Sequence, residues 1–344
     1  MRVLLTGAAG FIGARVAAAL AAGGHDVVGI DVMLPAAHGP GSASPEGCLR
    51  VDVRDADALA PLLSGVDVVC HQAAMVGAGV DAADAPEYGS HNDYATTVLL
   101  AQMYAAGIRR LVLASSMVVY GQGRYDCPVH GHVDPLPRRR EDPDAGVFEH
   151  RCPLGGEELS WRLVDEDAPL RPRSLYAASK TAQEHYGLAW SDAVDGSVIA
   201  LRYHNVYGPG MPRDTPYSGV AAIFRSALEK GEPPQVFEDG GQMRDFVHVD
   251  DVAAANVAAV NRVGSERFLA ANVCSGQPIS IHEVAAQLSE ASGGPSPQVT
   301  GYYRSGDVRH IVADAARARE ILGFTARIRP EAGLREFATA PLRN

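Results

Sequence analysis

The chain has 344 residues, 47% of them hydrophobic and 21% charged, with a net charge of −11 at pH 7; this fits a globular protein with a large core and argues against nucleic acid as a partner. No apolar run approaches the ~20 residues that a membrane-spanning helix needs, and the first residues read as a strand, without the charged–apolar–small order of a signal peptide. Five scattered cysteines make no disulfide framework, so a reduced, cytoplasmic setting is expected.

Strand 2–5 runs directly into Thr6-Gly7-Ala8-Ala9-Gly10-Phe11-Ile12-Gly13, and an alanine-rich helix follows over 12–22. Glycines three apart between strand and helix let the backbone turn sharply and approach a pyrophosphate. The free N–H groups and dipole of the helix then hold that anion. A second strand, 26–30, ends at Asp31, 18 residues after Gly13. A carboxylate there accepts hydrogen bonds from both ribose hydroxyls and repels a 2′-phosphate, which points to NAD rather than NADP. Further strands near 48–51, at 66–70 and at 111–114 alternate with helices over 55–63 and 92–106. Alternation of this kind predicts an α/β fold with a Rossmann-type, doubly wound parallel sheet. Ligands of such sheets bind at the carboxyl ends of the strands, here Asp31, Asp52-Val53, His71-Gln72-Ala73-Ala74 and Ser115-Ser116. Asp52 either reaches the adenine amino group or caps the helix that begins at Asp55.

Residues 121–174 break the alternation and read as a long insertion, rich in Pro, Arg, Asp and Gly. Within it, Cys127-x-x-His130 and Cys152, 25 residues on, resemble a zinc knuckle. The position three after Cys152 is Gly155, and His132 and His150 lack knuckle spacing. Three of the four ligands of a structural zinc site are in place, and no metal is assigned. Cys48, Cys70 and Cys274 read as packed thiols. Beyond 206 the chain is loop-rich, with helices near 218–229, 250–262, 281–291 and 314–321. We expect an NAD-binding domain over 1–205 and a smaller C-terminal α/β substrate lobe over 206–344, with some return to the main sheet. Pro341 to Asn344 are expected to fray.

Tyr176-Ala-Ala-Ser-Lys180 places a phenol and an ammonium at i, i+4, on one face of a helix. An adjacent ammonium favours the phenolate and predicts a tyrosine pKa drawn toward neutrality, as a general base requires. Ser115-Ser116, at a strand end in the nucleotide-binding half, offers a hydroxyl to orient a reacting oxygen, or else caps a turn.

These segments together resemble the extended short-chain dehydrogenase/reductases, the nucleotide-sugar epimerases and dehydratases. They are joined by Ser115-Ser-Met-Val-Val-Tyr-Gly121, Leu201-Arg-Tyr-His-Asn-Val-Tyr-Gly-Pro209, Arg244-Asp-Phe-Val-His-Val-Asp250 and Arg304-Ser-Gly-Asp307. The resemblance implies Tyr176 as base, Lys180 on the nicotinamide ribose and Ser116 as hydroxyl partner of the sugar. It places Gly7, Gly10, Phe11, Ile12, Gly13, Asp31, Asp52, Val53, Ala73, Ala74, Asn92, Ser115 and His204 around NAD. It places Asn205, Arg244 and Arg304 on the diphosphate, Asp307 on the nucleoside ribose and Phe237 against the pyrimidine of a dTDP- or UDP-sugar. Arginine suits this role because its planar fork meets phosphate oxygens in pairs. Dehydratases of the family carry acidic residues just after the catalytic hydroxyl, whereas Ser116 is followed by Met117-Val118-Val119. The expectation is therefore C4 epimerisation, on dTDP-L-rhamnose by resemblance to that branch of the family. UDP-glucose or UDP-glucuronate epimerisation, or 4-ketoreduction with NADPH, are the alternatives. A homodimer through a helix contact that includes 176–180 is a further implication.

Overall fold

The computed structural model describes residues 1–77, 81–213, 219–304 and 306–343. In chain order its strands are β1 (Arg2–Thr6), β2 (Asp26–Asp31), β3 (Cys48–Arg50), β4 (Val68–His71), β5 (Arg110–Ser116), β6 (Arg124–Cys127), β7 (Gly131–Val133), β8 (Ser160–Arg162) and β9 (Ser197–Tyr203). There follow β10 (Asn205–Tyr207), β11 (Gln235–Val236), β12 (Met243–His248), β13 (Phe268–Val273), β14 (Pro278–Ser280) and β15 (Gln298–Val299). The seven strands β13–β9–β5–β4–β1–β2–β3, in that order, form one parallel sheet, as the alternation predicts. Their near-continuous apolar sequences are what a sheet covered on both faces requires. The chain winds outward from β1 to β2 and β3 on one side and to β4 and β5 on the other. A crevice therefore opens between the carboxyl ends of β1 and β4, where Thr6 pairs with His71.

One face of the sheet packs against helices Phe11–Ala22, Val249–Arg262 and Ala316–Leu322, through Val3, Leu5, Val16, Leu20, Val252 and Leu322 among others. The opposite face carries Leu4, Val69, Leu111 and Leu113 against Leu59, Leu99 and Met103. Helix Leu175–Val194 packs on this side against β5, β9 and helix Ala95–Ala105. The expected helix over 55–63 is one α-turn, Ala56–Leu59, continued as the 3₁₀ turn Ala60–Leu63. The expected start at 92 falls inside a π-turn, Gly89–Tyr94. A separate core of Tyr207, Phe224, Phe246, Val284, Leu288, Leu334 and Phe337 lies under helices Val220–Glu229, Ile281–Ser292 and Pro330–Phe337 and the sheet β10–β12–β14. The expected helix start at 218 lies outside the described residues. β13 returns to the edge of the main sheet beside β9.

Within the insertion, β7–β6–β8 form an antiparallel sheet over a small core of Tyr125, Cys127, Val133, Cys152 and Leu159. One sequence expectation changes. The C-terminal segment does not fray before Asn344, which is itself outside the described residues. Gly210 N–H donates to the Pro341 carbonyl at 2.9 Å. Arg343 exchanges backbone hydrogen bonds with Met211 (3.0 Å) and Arg213 (2.9 Å).

Candidate functional site

The glycine-rich turn is built by close approach. Gly7 has φ +69°, and a Cβ there would lie 2.7 Å from the Ala73 amide nitrogen, so the turn packs directly against the loop after β4. A Cβ at Gly13 would collide with the Gly7 carbonyl, which fixes the helix against its own turn. Gly10 is the N-cap and no side chain caps the first turn, so the N–H groups around Phe11, Ile12 and Gly13 are offered to an anion. The Asp31 carboxylate accepts from Ala9 N–H (3.1 Å) and Met33 N–H (2.8 Å) and lies 3.3 Å from His38 Nε2. Burial would raise its pKa, but His38 and the two backbone donors outweigh burial and hold it below the usual carboxylate range. An ionised carboxylate at the end of β2 beside an uncapped helix N-terminus fits the ribose and pyrophosphate of NAD.

Other residues expected around NAD are held by partners within the protein. Asn92 is buried: its carbonyl oxygen accepts from Met75 N–H at 2.7 Å, and its amide donates to Met75 O (2.9 Å) and Ser179 Oγ (2.8 Å). It ties the loop after β4 to helix Leu175–Val194. Asp52 is engaged by the Arg54 guanidinium at 2.6–3.0 Å, and the helix cap is Asp55, which accepts from Ala58 N–H. Val53 is part of the core. Ala73 donates its N–H to Thr6 Oγ1 at 3.0 Å, and Ala74 follows in the same loop. His204 is buried, and burial lowers its pKa to about 3 against the opposing effect of the Asn272 side chain, so it is neutral.

Ser116 ends β5, and Tyr176 and Lys180 lie in the first turns of helix Leu175–Val194, whose N-cap Ser174 accepts from Ala177 N–H. The Tyr176 hydroxyl meets Ser116, and Lys180 Nζ donates to the Ala114 carbonyl at 2.9 Å, 6.0 Å from the centre of the Tyr176 ring. The expected fall of the tyrosine pKa is corrected here. Burial pushes Tyr176 up to about 12 against the opposing Ser116 hydrogen bond, and pushes Lys180 down to about 7 against Glu184 and Asp93. A half-neutral ammonium cannot by itself draw a buried phenol to neutrality. The Ser115 hydroxyl is committed to Glu184, which also forms a two-pronged pair with Arg202 at 2.9 and 2.7 Å. Arg202 in turn donates to the Tyr120 hydroxyl at 2.9 Å. Glu184 and Arg202, both buried, thus form a platform under the catalytic group.

On the substrate side, Asn205 opposite Phe246 puts β10 beside the strand that carries Arg244. The Asn205 Oδ1 is buried without a partner. The Arg244 guanidinium donates to three backbone carbonyls, Met243 (2.9 Å), Arg309 (2.8 Å) and Val308 (2.5 Å), and burial lowers its pKa. Arg304 stacks 5.3 Å from the Phe237 ring centre. Asp307 N–H donates to the Arg304 carbonyl at 3.2 Å, so the two follow in one turn.

Sequence reasoning missed the network behind these residues. Arg309, 1% exposed, is held by Glu149, Glu238 and Asp239 at 2.5–2.9 Å. Glu149 also binds His310 at 2.8 Å, and Arg138 pairs with Glu238 at 2.7 Å. Arg138 and Glu149 come from the insertion. The only local signal was charge inside apolar motifs, as in Phe237-Glu-Asp. Arg343 was also missed: its guanidinium donates to the carbonyls of Ala9 (2.7 Å) and Ala37 (3.3 Å), and its buried Nε has no partner.

A parallel doubly wound sheet, a glycine turn beside a carboxylate at the end of β2 and a Ser–Tyr–Lys group define a dinucleotide-dependent site of the short-chain dehydrogenase/reductase kind. Residues 3–141 and 156–273 match the NAD dependent epimerase/dehydratase family, and the chain belongs to that family. It is 36% identical to a dTDP-L-rhamnose 4-epimerase of Burkholderia thailandensis, over 98% of this chain and 94% of that one. It is 32% identical to a UDP-glucose 4-epimerase of Mycolicibacterium smegmatis, over 95% and 94%. The solved structure of MoeE5 with UDP-glucuronic acid and NAD superposes with a TM-score of 0.77 at 31% identity, covering 98% of each chain. No helix among the described residues is long and apolar enough to cross a membrane.

Proposed function

We propose that this chain is an NAD-dependent nucleotide-sugar 4-epimerase that inverts C4 of dTDP-L-rhamnose through a transient 4-keto sugar, giving dTDP-6-deoxy-L-talose. The observation that carries the reaction type is the Ser116–Tyr176–Lys180 group followed by a 3₁₀ turn, Met117–Tyr120, that bears no carboxylate. Loss of water from C5 and C6 needs an additional acid–base pair there; inversion at C4 does not. The turn Gly7–Gly13 and Asp31 would hold NAD, which would supply a hydride acceptor and donor for C4 and a positive charge beside the phenol. Tyr176 accepts the 4-hydroxyl proton at its phenolic oxygen and gives it back, Ser116 orients the same oxygen, and Lys180 stabilises the phenolate and holds the ribose. Asn205, Phe237, Arg244, Arg304 and Asp307 anchor the nucleoside diphosphate while the sugar turns over. In this reading residues 1–205 hold NAD and 206–344 the nucleotide sugar.

The dTDP-L-rhamnose assignment is supported by the Burkholderia relative. UDP-glucose or UDP-glucuronate epimerisation is the second reading, favoured by the Mycolicibacterium relative and by the ligand of MoeE5. A 4-ketoreductase with NADPH is disfavoured by the ionised Asp31. We place a homodimer contact on helices Ala95–Ala105 and Leu175–Val194, where Tyr104, Tyr186 and Leu188 are exposed. The test is a proton NMR time course with dTDP-L-rhamnose and, separately, UDP-glucose, without added nicotinamide. Small H3–H4 and H4–H5 couplings appearing in the rhamnose sample support the full assignment. Change with UDP-glucose alone keeps the mechanism and discards the substrate. No change in either after NAD is supplied discards both.

A further inference from the structure

We propose that the insertion holds a structural zinc ion, bound by Cys127, His130, Cys152 and Glu157. One donor atom of each lies within 4.8 Å of the other three. His130 Nδ1 is 3.4 Å from Cys127 Sγ, 3.5 Å from Cys152 Sγ and 3.8 Å from Glu157 Oε2, and Cys127 Sγ is 3.5 Å from Glu157 Oε2. A tetrahedral zinc with Zn–S of ~2.3 Å and Zn–N or Zn–O of ~2.05 Å requires sulfur-to-nitrogen and sulfur-to-oxygen edges of ~3.6 Å and a nitrogen-to-oxygen edge of ~3.3 Å. The three edges between sulfur and nitrogen or oxygen meet that requirement within about 0.2 Å, the nitrogen-to-oxygen edge is about 0.5 Å too long, and the two remaining edges, from Cys152 Sγ to Cys127 Sγ and to the Glu157 carboxylate, lie within 4.8 Å.

The backbone is arranged for these ligands. Cys127 ends β6 and His130 lies in the turn to β7, so the Cys-x-x-His spacing is a hairpin turn. Val129 N–H donates to Cys127 Sγ at 3.4 Å, which orients the sulfur. Cys152 N–H donates to the Glu157 carbonyl at 2.7 Å, closing a loop that returns the carboxylate to the sulfurs. Gly155 explains why Glu157 escapes a reading by spacing. A Cβ at residue 155 would collide with the Glu157 carboxylate, so the acid fills the corner that a ligand three after Cys152 would otherwise take. His132 Nδ1 donates to the Tyr125 carbonyl at 3.1 Å and lies 3.7 Å from Asp126, and His150 is buried against Gln122. Neither joins the cluster.

The insertion has a reason to carry a metal. Its core is five buried residues, three of them on strands of three and four residues, too little apolar area for such a sheet to hold itself. All four corners belong to protein, the closed arrangement of a structural site rather than a catalytic one. The ion would pin the β6–β7 hairpin to the 150–158 loop, the loop whose preceding residue, Glu149, grips Arg309.

Purified full-length protein, prepared without chelators, should contain about one zinc per chain by mass spectrometry. Cobalt(II) in its place should show tetrahedral d–d bands and thiolate-to-cobalt charge transfer. Cys127→Ser and Cys152→Ser should abolish the charge transfer and the zinc, and Glu157→Ala should weaken zinc retention against a chelator. Because these variants can fail to fold, a second protein carries the test. Gly155→Cys with Glu157→Ala moves the fourth ligand onto the vacant corner and should restore zinc with stronger charge transfer. Wild-type protein without zinc, cobalt spectra of octahedral type, or thiols that react equally fast before and after zinc is stripped with a chelator would overturn the proposal. So would a Cys127–Cys152 disulfide in freshly purified protein.

Discussion

Glu184→Ala isolates the platform beneath the catalytic group. The Glu184 and Arg202 side chains are 2% and 4% exposed, and the substitution removes both prongs of their pair together with the acceptor of the Ser115 hydroxyl. Arg202 then keeps only the Tyr120 hydroxyl at 2.9 Å and the Glu166 carbonyl at 3.0 Å, neither of them charged. Leaving one partner of a buried pair uncompensated costs about 3–5 kcal/mol. Unfolding entropy scales as roughly 2.1 cal/mol/K per residue, or about 0.7 kcal/mol/K for this chain, so Tm should fall by about 4–7 °C. Differential scanning calorimetry checks the fall, and urea unfolding checks the free energy. The companion variant Arg202→Met should cost a similar amount, and Glu184→Leu with Arg202→Met should cost well under the sum. A loss below about 1 kcal/mol for Glu184→Ala, or strict additivity in the double variant, would refute the claim that this pair acts as a unit.

Tyr176→Phe should lower turnover by about 10²–10⁴-fold or more with Tm and NAD content unchanged, as expected for an acid–base group; near-normal turnover would remove Tyr176 from the chemistry. Lys180 has its folded pKa depressed by burial to about 7 from 10.5, so between those values the unfolded chain binds more protons and stability rises with pH. The urea midpoint of Lys180→Met should rise less than that of wild type between about pH 7 and 9.5, and identical slopes would show that burial does not depress this group. Arg343→Ala removes charged hydrogen bonds to the Ala9 and Ala37 carbonyls, each of a kind worth about 1.5–3 kcal/mol. NAD affinity, titrated calorimetrically on cofactor-stripped protein, should weaken by about tenfold or more, and an unchanged Kd would reduce the C-terminal segment to packing.

The nucleotide-binding half was legible because its rules are local. A strand, a glycine turn and a helix in sequence, then an acid at the end of the next strand, specify their own geometry, and residues 2–31 adopt it. The Tyr176–Lys180 pair was legible as a helix face but not as a titration, because the pKa values depend on burial that no spacing reveals. The protein partners of Asn92, Asp52 and Ser115 were not read from the sequence. Met75 and Ser179, which hold Asn92, and Glu184, which holds Ser115, come near through tertiary packing, whereas Arg54 meets Asp52 from two residues along the chain. The insertion was least legible. Strands of three or four residues with mixed polarity leave no period to read, and Glu157 meets the cysteines only because Gly155 yields the space.

The insertion bears on the substrate side through backbone rather than through direct contact. Arg244, the cation expected at the diphosphate, has its guanidinium oriented by the carbonyls of Val308 and Arg309. The position of that segment is set by the Arg309 side chain, which is clasped by Glu238 and Asp239 from its own lobe and by Glu149 from the insertion. A buried arginine among three carboxylates is a costly way to gain stability, since an apolar cluster of the same volume does as well. What it supplies is a single permitted geometry, because each hydrogen bond left unmade would strand a buried charge. The insertion therefore acts as a bracket on the nucleotide-sugar site. A staple at its far end, where the four candidate ligands meet, would be felt at Arg244 as a change in where the guanidinium points rather than in whether the chain folds.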